Sequence, residues 1–143
     1  MFKTGKRVKI ERDNDIGIVI KVESEKHSID IAYINGEIKK NVSLDKVSFY
    51  FSRNLAEKRV LNPKKIKIKE LTSMDIGKTV VLNNYRRNTL NNNSLTKFYL
   101  REYDLGIITS FKIILNKVVV NISFPYGDLL NVKDFPLEDI FFI

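Results

Sequence analysis

The sequence predicts an all-β protein: two five-stranded barrels in tandem, joined by a basic, partly ordered connector. The main observation is a repeat. Gly5-Lys6-Arg7-Val8 and Asp15-Ile16-Gly17-Ile18-Val19 return as Gly77-Lys78-Thr79-Val80 and Asp104-Leu105-Gly106-Ile107-Ile108. Each copy continues with an apolar alternation (Ile29, Ile31; Val118, Val120, Ile122) and a glycine turn (Asn35-Gly36; Tyr126-Gly127-Asp128). Each then closes on a similar tetrad, Leu44-Asp45-Lys46-Val47 or Leu137-Glu138-Asp139-Ile140. Punctuation kept in order over unequal spacings marks a duplicated small domain. The other observation is period-2 alternation at Ile16, Ile18, Ile20 and Val22, which predicts a strand with one buried face.

In the first unit, residues 1–52, a strand over 7–11 turns at Asp13-Asn14-Asp15 into the strand 16–22. Gly17, inside that pattern, marks a bulge or a close backbone approach. Residues 23–27 form a polar hairpin turn, 28–33 a third strand, and Asn35-Gly36 a tight turn into 38–42. Ser43-Leu44-Asp45 predicts a one-turn helix before a last strand, 47–51. Five short strands curled by bulges make a small barrel with few free edges.

The connector, 53–70, opens on a segment at 52–60 with the pattern of two helical turns capped by Ser52 and ended by Asn62-Pro63. Lys65-Ile66-Lys67-Ile68-Lys69 then alternates. On a strand this puts three lysines on one face and both isoleucines toward a core. The second unit, 71–143, carries a long inserted hairpin loop at 83–103, polar over 83–94, with a strand expected at 96–103. Its barrel resumes with strands over 105–113, 117–124, 129–132 and 140–143. The last is apolar throughout and expected to be buried.

Net charge is +8, unevenly placed. Residues 1–52 carry ten Lys/Arg against eight Asp/Glu (+2), 53–70 seven against two (+5), and 71–143 eight against seven (+1). Clustered positive charge attracts polyanions or anionic surfaces. The absence of cysteine excludes disulfides and thiolate metal sites. No apolar run approaches the roughly 18 residues of a membrane span, and the N-terminus lacks a signal-peptide core. The Ile-, Lys- and Asn-rich composition suggests an AT-rich bacterial or phage genome, and so the cytoplasm of a bacterium or infected host cell.

Gly-Lys-x-Val, a turn, x-Gly-Ile-Val, an alternating strand, a glycine turn and Leu-x-x-Val together resemble the SH3-like barrels of the KOW and Tudor group. The first unit is the better match; the second matches through Gly77, Gly106 and Gly127. The resemblance implies contacts with DNA, RNA, ribosomal or polymerase partners for the KOW type, and reading of methylated residues for the Tudor type. In size, charge and domain pairing the chain is also similar to small phage DNA-binding proteins of the MotB type. A host transcription or chromatin protein is then an implied partner.

The candidate nucleic-acid contacts are Arg53, Lys58, Arg59, Lys64, Lys65, Lys67 and Lys69 in the connector, and Lys6, Arg7, Lys9, Lys39 and Lys40 at strand ends of the first unit. Tyr85, Arg86 and Arg87 in the inserted loop are suited to groove contact or base stacking. A solvated linker face and a plain polar loop are the competing explanations. Tyr33, Phe49, Tyr50 and Phe51 include the material of an aromatic cage, but alternation places Phe49 and Phe51 in the core. His27 reads as a surface residue. Glu11, Asp13 and Asp15 cluster at one turn without the spacing of a calcium loop. There is no phosphate-loop glycine pattern and no nucleophile elbow. The expectation is a non-enzymatic nucleic-acid-binding protein, DNA ahead of RNA, without cofactor, metal or membrane partner. The alternatives are an adaptor docking on a transcription or translation machine and a Tudor-like reader.

Overall fold

Two antiparallel sheets, of five and six strands, share the same order over five strands, and a separate two-stranded ribbon completes the described strands. A computed structural model describes residues 2–50, 60, 64–82, 104–127 and 130–143, with the backbone of 86–87 and 99–100. The first sheet holds β1 (Arg7–Ile10), β2 (Gly17–Glu23), β3 (Ser28–Ala32), β4 (Ile38–Ser43) and β5 (Val47–Phe49), in the order β4-β3-β2-β1-β5. After β6 (Ile66–Lys67) and β7 (Thr79–Leu82), the insertion contributes β8 (Arg86–Arg87) and β9 (Tyr99–Leu100), which pair only with each other. Then come β10 (Leu105–Ile114), β11 (Lys117–Ser123), β12 (Asn131–Pro136) and β13 (Ile140–Phe142). The second sheet runs β12-β11-β10-β7-β13-β6. A 3-10 turn precedes the last strand in each, at Leu44–Lys46, capped by the Ser43 hydroxyl, and at Leu137–Asp139. The described residues contain no α-helix. The helix expected at 52–60 lies outside them.

The expected closure into barrels is not made by hydrogen bonds, since β4 and β5 remain the two edges of the first sheet. Side chains close the curl instead. Val42 from β4 and Val47 and Phe49 from β5 pack on one cluster of Val8, Val19, Ile29, Ile31 and Tyr33. The equivalent cluster of the second sheet includes Val80, Leu82, Ile108, Val120, Ile122, Phe124, Phe135 and Ile140. Gly17 is a site of close approach: a Cβ there would overlap Ile31 Cγ2, and the bulge itself falls between Val19 and Lys21.

Alternation along β2 predicts one buried face, yet Ile18 and Val19 are both fully buried. Val19 faces its own core. Ile18 faces the second sheet, in a third cluster with Ala32 and Ile107, flanked by Ile20, Ile34, Ile38 and Leu130. The sheets thus cover each other's outer faces, and the contact is reciprocal. Gly5 (φ +90°) brings its backbone onto Asn131 and Ser123, while Gly77 (φ +97°) does the same on Ile38, Ala32 and Ile20. Left-handed φ and a Cβ contact of 2.9 Å at both positions leave room only for glycine. The side chain two residues on crosses the junction in both directions. Arg7 Nε donates to the Phe124 carbonyl (2.8 Å) and Nη2 to that of Gly127 (2.7 Å). Thr79 Oγ1 lies 3.4 Å from the Tyr33 carbonyl and 3.1 Å from that of Ile34. This two-fold-like exchange is the signature of an isologous interface, here built within one chain.

The connector alternation placed Ile66 and Ile68 together in the core, and only Ile68 is there. Ile66 is 49% exposed. It pairs with Phe142 at the edge of the sheet, where its side chain lines a cleft and is not covered by a further layer among the described residues. The C-terminal strand is likewise only partly buried. Ile140 is inside, Phe141 and Phe142 are half-covered and Ile143 is exposed. Ile68→Ser is therefore expected to destabilise the protein by about 2–4 kcal/mol, and Ile66→Ser by less than about 1 kcal/mol. Urea unfolding of the two variants checks the difference.

Candidate nucleic-acid interface

β6 is an edge strand, so the segment around it presents charge outward. Lys65, Lys67 and Lys69 are exposed, as the alternation predicts, and so is Lys64, which lies outside that pattern. Lys65 places its ammonium 5.7 Å from the centre of the Phe141 ring. Lys64, Lys67 and Lys69 make no ion pair among the described residues. Lys67 shares a cleft of about 340 Å³ with Lys117, Val118 and Val119 from β11 and with Pro136, Leu137 and Glu138. The sequence reading missed Lys117. No local pattern marks it in the sequence; the register of the folded hairpin sets it opposite Ile114, beyond the buried part of the sheet.

The candidates of the first unit behave differently. Lys6 and Lys40 are exposed and Lys9 is half-buried. Arg7, expected at the surface, is buried, with its guanidinium committed to carbonyls of the second sheet. Lys39 is taken up locally. Its ammonium is 2.6 Å from Asp13 and 3.7 Å from Glu37, and lies 5.3 Å over the Tyr33 ring. Tyr33 also donates to Asp13, at 3.2 Å. The hydrogen bond from Lys39 holds the Asp13 carboxyl below its ordinary pKa and raises that of Lys39. Burial, then Asp13, pushes the Tyr33 phenol well up. Phe49 stacks on Phe2 with ring centres 4.4 Å apart and Tyr33 belongs to the core, so these two candidates do not converge as an open cage among the described residues. His27 is exposed at its hairpin tip. Arg86 and Arg87 lie on β8, paired with Leu100 and Tyr99, so this part of the insertion is a two-stranded ribbon. Arg53, Lys58, Arg59, Phe51 and Tyr85 lie outside the described residues.

A second cleft, of about 390 Å³, opens between the sheets and is lined by Ile34, Ile38, Ile66, Phe142 and Ile143, with Lys78 and Thr79 supplying polar groups. Lys78 is fixed by Asp75 at 2.8 Å and lies 5.0 Å over the Phe142 ring. Asp75 also accepts from the Thr72 N–H at 2.8 Å, completing a capping box on the 3-10 turn Ser73–Asp75. Comparison of the chain with family models, curated proteins and solved structures finds no match in any of the three.

The Asp75 carboxyl is held below its ordinary value of 3.8, first by Lys78 and then by the Thr72 N–H. A depressed carboxyl stabilises the fold above its unfolded pKa, and that contribution is lost as the pH falls through the folded value. Asp75→Asn keeps an acceptor for Thr72 and loses the charge facing Lys78. Its melting temperature is expected to fall below wild type by a few degrees at pH 7. The gap is expected to close below pH 3.8; thermal scans at neutral and acid pH check both ends.

Proposed function

We propose that this chain is a non-enzymatic nucleic-acid-binding protein of two SH3-like, KOW/Tudor-type units, with DNA favoured over RNA. It would act in the cytoplasm of a bacterium or of a phage-infected cell. The observation that carries this reading is the exposed row Lys64, Lys65, Lys67 and Lys69, of which Lys67 shares one cleft with Lys117 and Glu138. Like charges gathered on an edge strand repel each other, and a polyphosphate backbone relieves that repulsion while releasing condensed counterions. Such contacts position a protein on the nucleic acid without reading sequence. The strand order β4-β3-β2-β1-β5, with a 3-10 turn before the last strand, supports the SH3-like assignment.

A second reading, an adaptor for a transcription or translation machine, draws on the apolar cleft between the sheets, where Ile66 and Ile143 are exposed. Reading of a methylated cation is less favoured, because the chain's own Lys39 already lies among Tyr33, Asp13 and Glu37.

Electrophoretic shifts with duplex DNA, single-stranded DNA and RNA over a range of salt test the main reading. About five phosphate contacts give a log–log salt slope near −4 to −5 on duplex DNA. Lys67→Ser, Lys69→Ser and Lys117→Ser together are expected to make the slope shallower by about 3. The circular dichroism spectrum should stay unchanged, because all three side chains are exposed. An unchanged slope would place the contacts elsewhere, and absence of binding to all three nucleic acids would favour the adaptor.

A further inference from the structure

The β10–β11 hairpin departs from its counterpart in the first unit. The β2–β3 ladder runs from Ile18↔Ala32 to Glu23↔Ser28 and ends in the polar turn Ser24, Glu25, Lys26 and His27. The β10–β11 ladder starts at the equivalent pair, Ile107↔Ser123, has its bulge at the same place, and continues through Lys112↔Val119 to Ile113↔Val118 and Ile114↔Lys117. Two additional cross-strand pairs carry the second hairpin about 7 Å further out. Its tip is apolar, with Ile113 72% and Leu115 91% exposed.

The turn joining the strands has positive φ at both central residues, Leu115 (+49°) and Asn116 (+63°). This two-residue geometry favours Asn-Gly, and a leucine in the left-handed region is strained. The tip therefore combines exposed apolar side chains with backbone strain, and no packing within the described residues compensates for either. Its base carries Lys112, Lys117 and Lys67 beside the carboxylates of Asp134 and Glu138. Lys117 is opposite Ile114 and makes no ion pair among the described residues. Lys67 shares its cleft, and Lys112 pairs with Asp134 at 3.2 Å.

We propose that this hairpin is a wedge for duplex DNA: Leu115, supported by Ile113, enters the minor groove and unstacks a base step while Lys117 and Lys67 hold flanking phosphates. The proposal rests on the nucleic-acid reading above and adds a mode to it. Apolar side chains inserted between base steps kink a duplex, and pyrimidine–purine steps give way most readily. An anionic bilayer is the other surface that such a tip suits. Three apolar residues bury less there than a single acyl chain, which is itself a marginal anchor. A wedge, by contrast, works with one side chain, because phosphate contacts hold it in position.

The test uses the full chain, wild type and Leu115→Asn, and a short DNA duplex carrying 2-aminopurine beside a central TA step. Asparagine is at ease in the left-handed region, so the variant is expected to melt no lower than wild type. Wild type is expected to raise the 2-aminopurine fluorescence severalfold at saturation. Leu115→Asn should bind about tenfold more weakly with the same salt slope, as for the loss of one buried leucine, and leave the fluorescence unchanged. Binding by wild type without a fluorescence rise, or an equal rise with the variant, overturns the wedge and leaves the nucleic-acid reading intact. No duplex binding at all overturns both. Co-sedimentation with phosphatidylserine-containing vesicles in place of duplex binding would make the tip a membrane anchor and also overturn the wedge.

Discussion

Everything in this structure depends on how each sheet seats the start of β1 or β7 from the other. A unit of roughly 50–70 residues buries only about 60% of its unfolded surface and is marginal alone. The exchange at Gly5, Arg7, Gly77 and Thr79 relieves that weakness, because the outer faces of β2 and β10 become a shared interior. Complete burial of Ile18 and Ile107 contributes about 3–6 kcal/mol, an upper estimate because unfolded chains are already partly collapsed. The polar part of the junction holds geometry. Arg7 and Thr79 donate to carbonyls just after β3 and β11, where each chain leaves its sheet. A sheet that shifted would leave those carbonyls without their donors.

The same seating limits where a ligand can bind. With the faces of β2 and β10 covered, the surfaces left among the described residues are sheet edges and hairpin tips, and the two units have diverged there. The first pairs part of its charge, Lys39 with Asp13 and Glu37 and Glu23 with Lys21 and Lys26, and leaves Lys6 and Lys40 exposed. The second carries the exposed lysines of the β6 edge, Lys117, and the longer apolar hairpin. In the proposed function the first unit serves as a brace and the second as the contact surface.

Local signals were legible in the sequence. The Gly-Lys-x-Val repeat, the Asn35-Gly36 turn, the helical turn at Ser43-Leu44-Asp45 and the outward face of Lys65, Lys67 and Lys69 depend on neighbours within a few residues, and the structure contains each. Features set by distant partners were not legible. The commitment of Arg7 depends on a carbonyl 117 residues away, and nothing near it distinguishes it from Lys6 or Lys9. Alternation along β2 counted one buried face because the covering sheet comes from the other half of the chain. Ile66 and Ile68 have identical local patterns, and only the end of the sheet separates them. The hairpin tip was within reach, since Leu115-Asn116 lacks the glycine expected of so short a turn.

The central claim is that the junction makes the two sheets one cooperative unit, and Arg7 tests it most directly. Arg7→Leu leaves two interior carbonyls without their donor, which is expected to cost about 2–4 kcal/mol. The measurement is urea unfolding followed by amide hydrogen exchange at Val19 and Ile31 in the first sheet and at Val81 and Ile122 in the second. The account predicts a single transition for wild type and an equal loss of protection in both sheets of the variant. Loss confined to the first sheet, or two separate transitions in wild type, would contradict it.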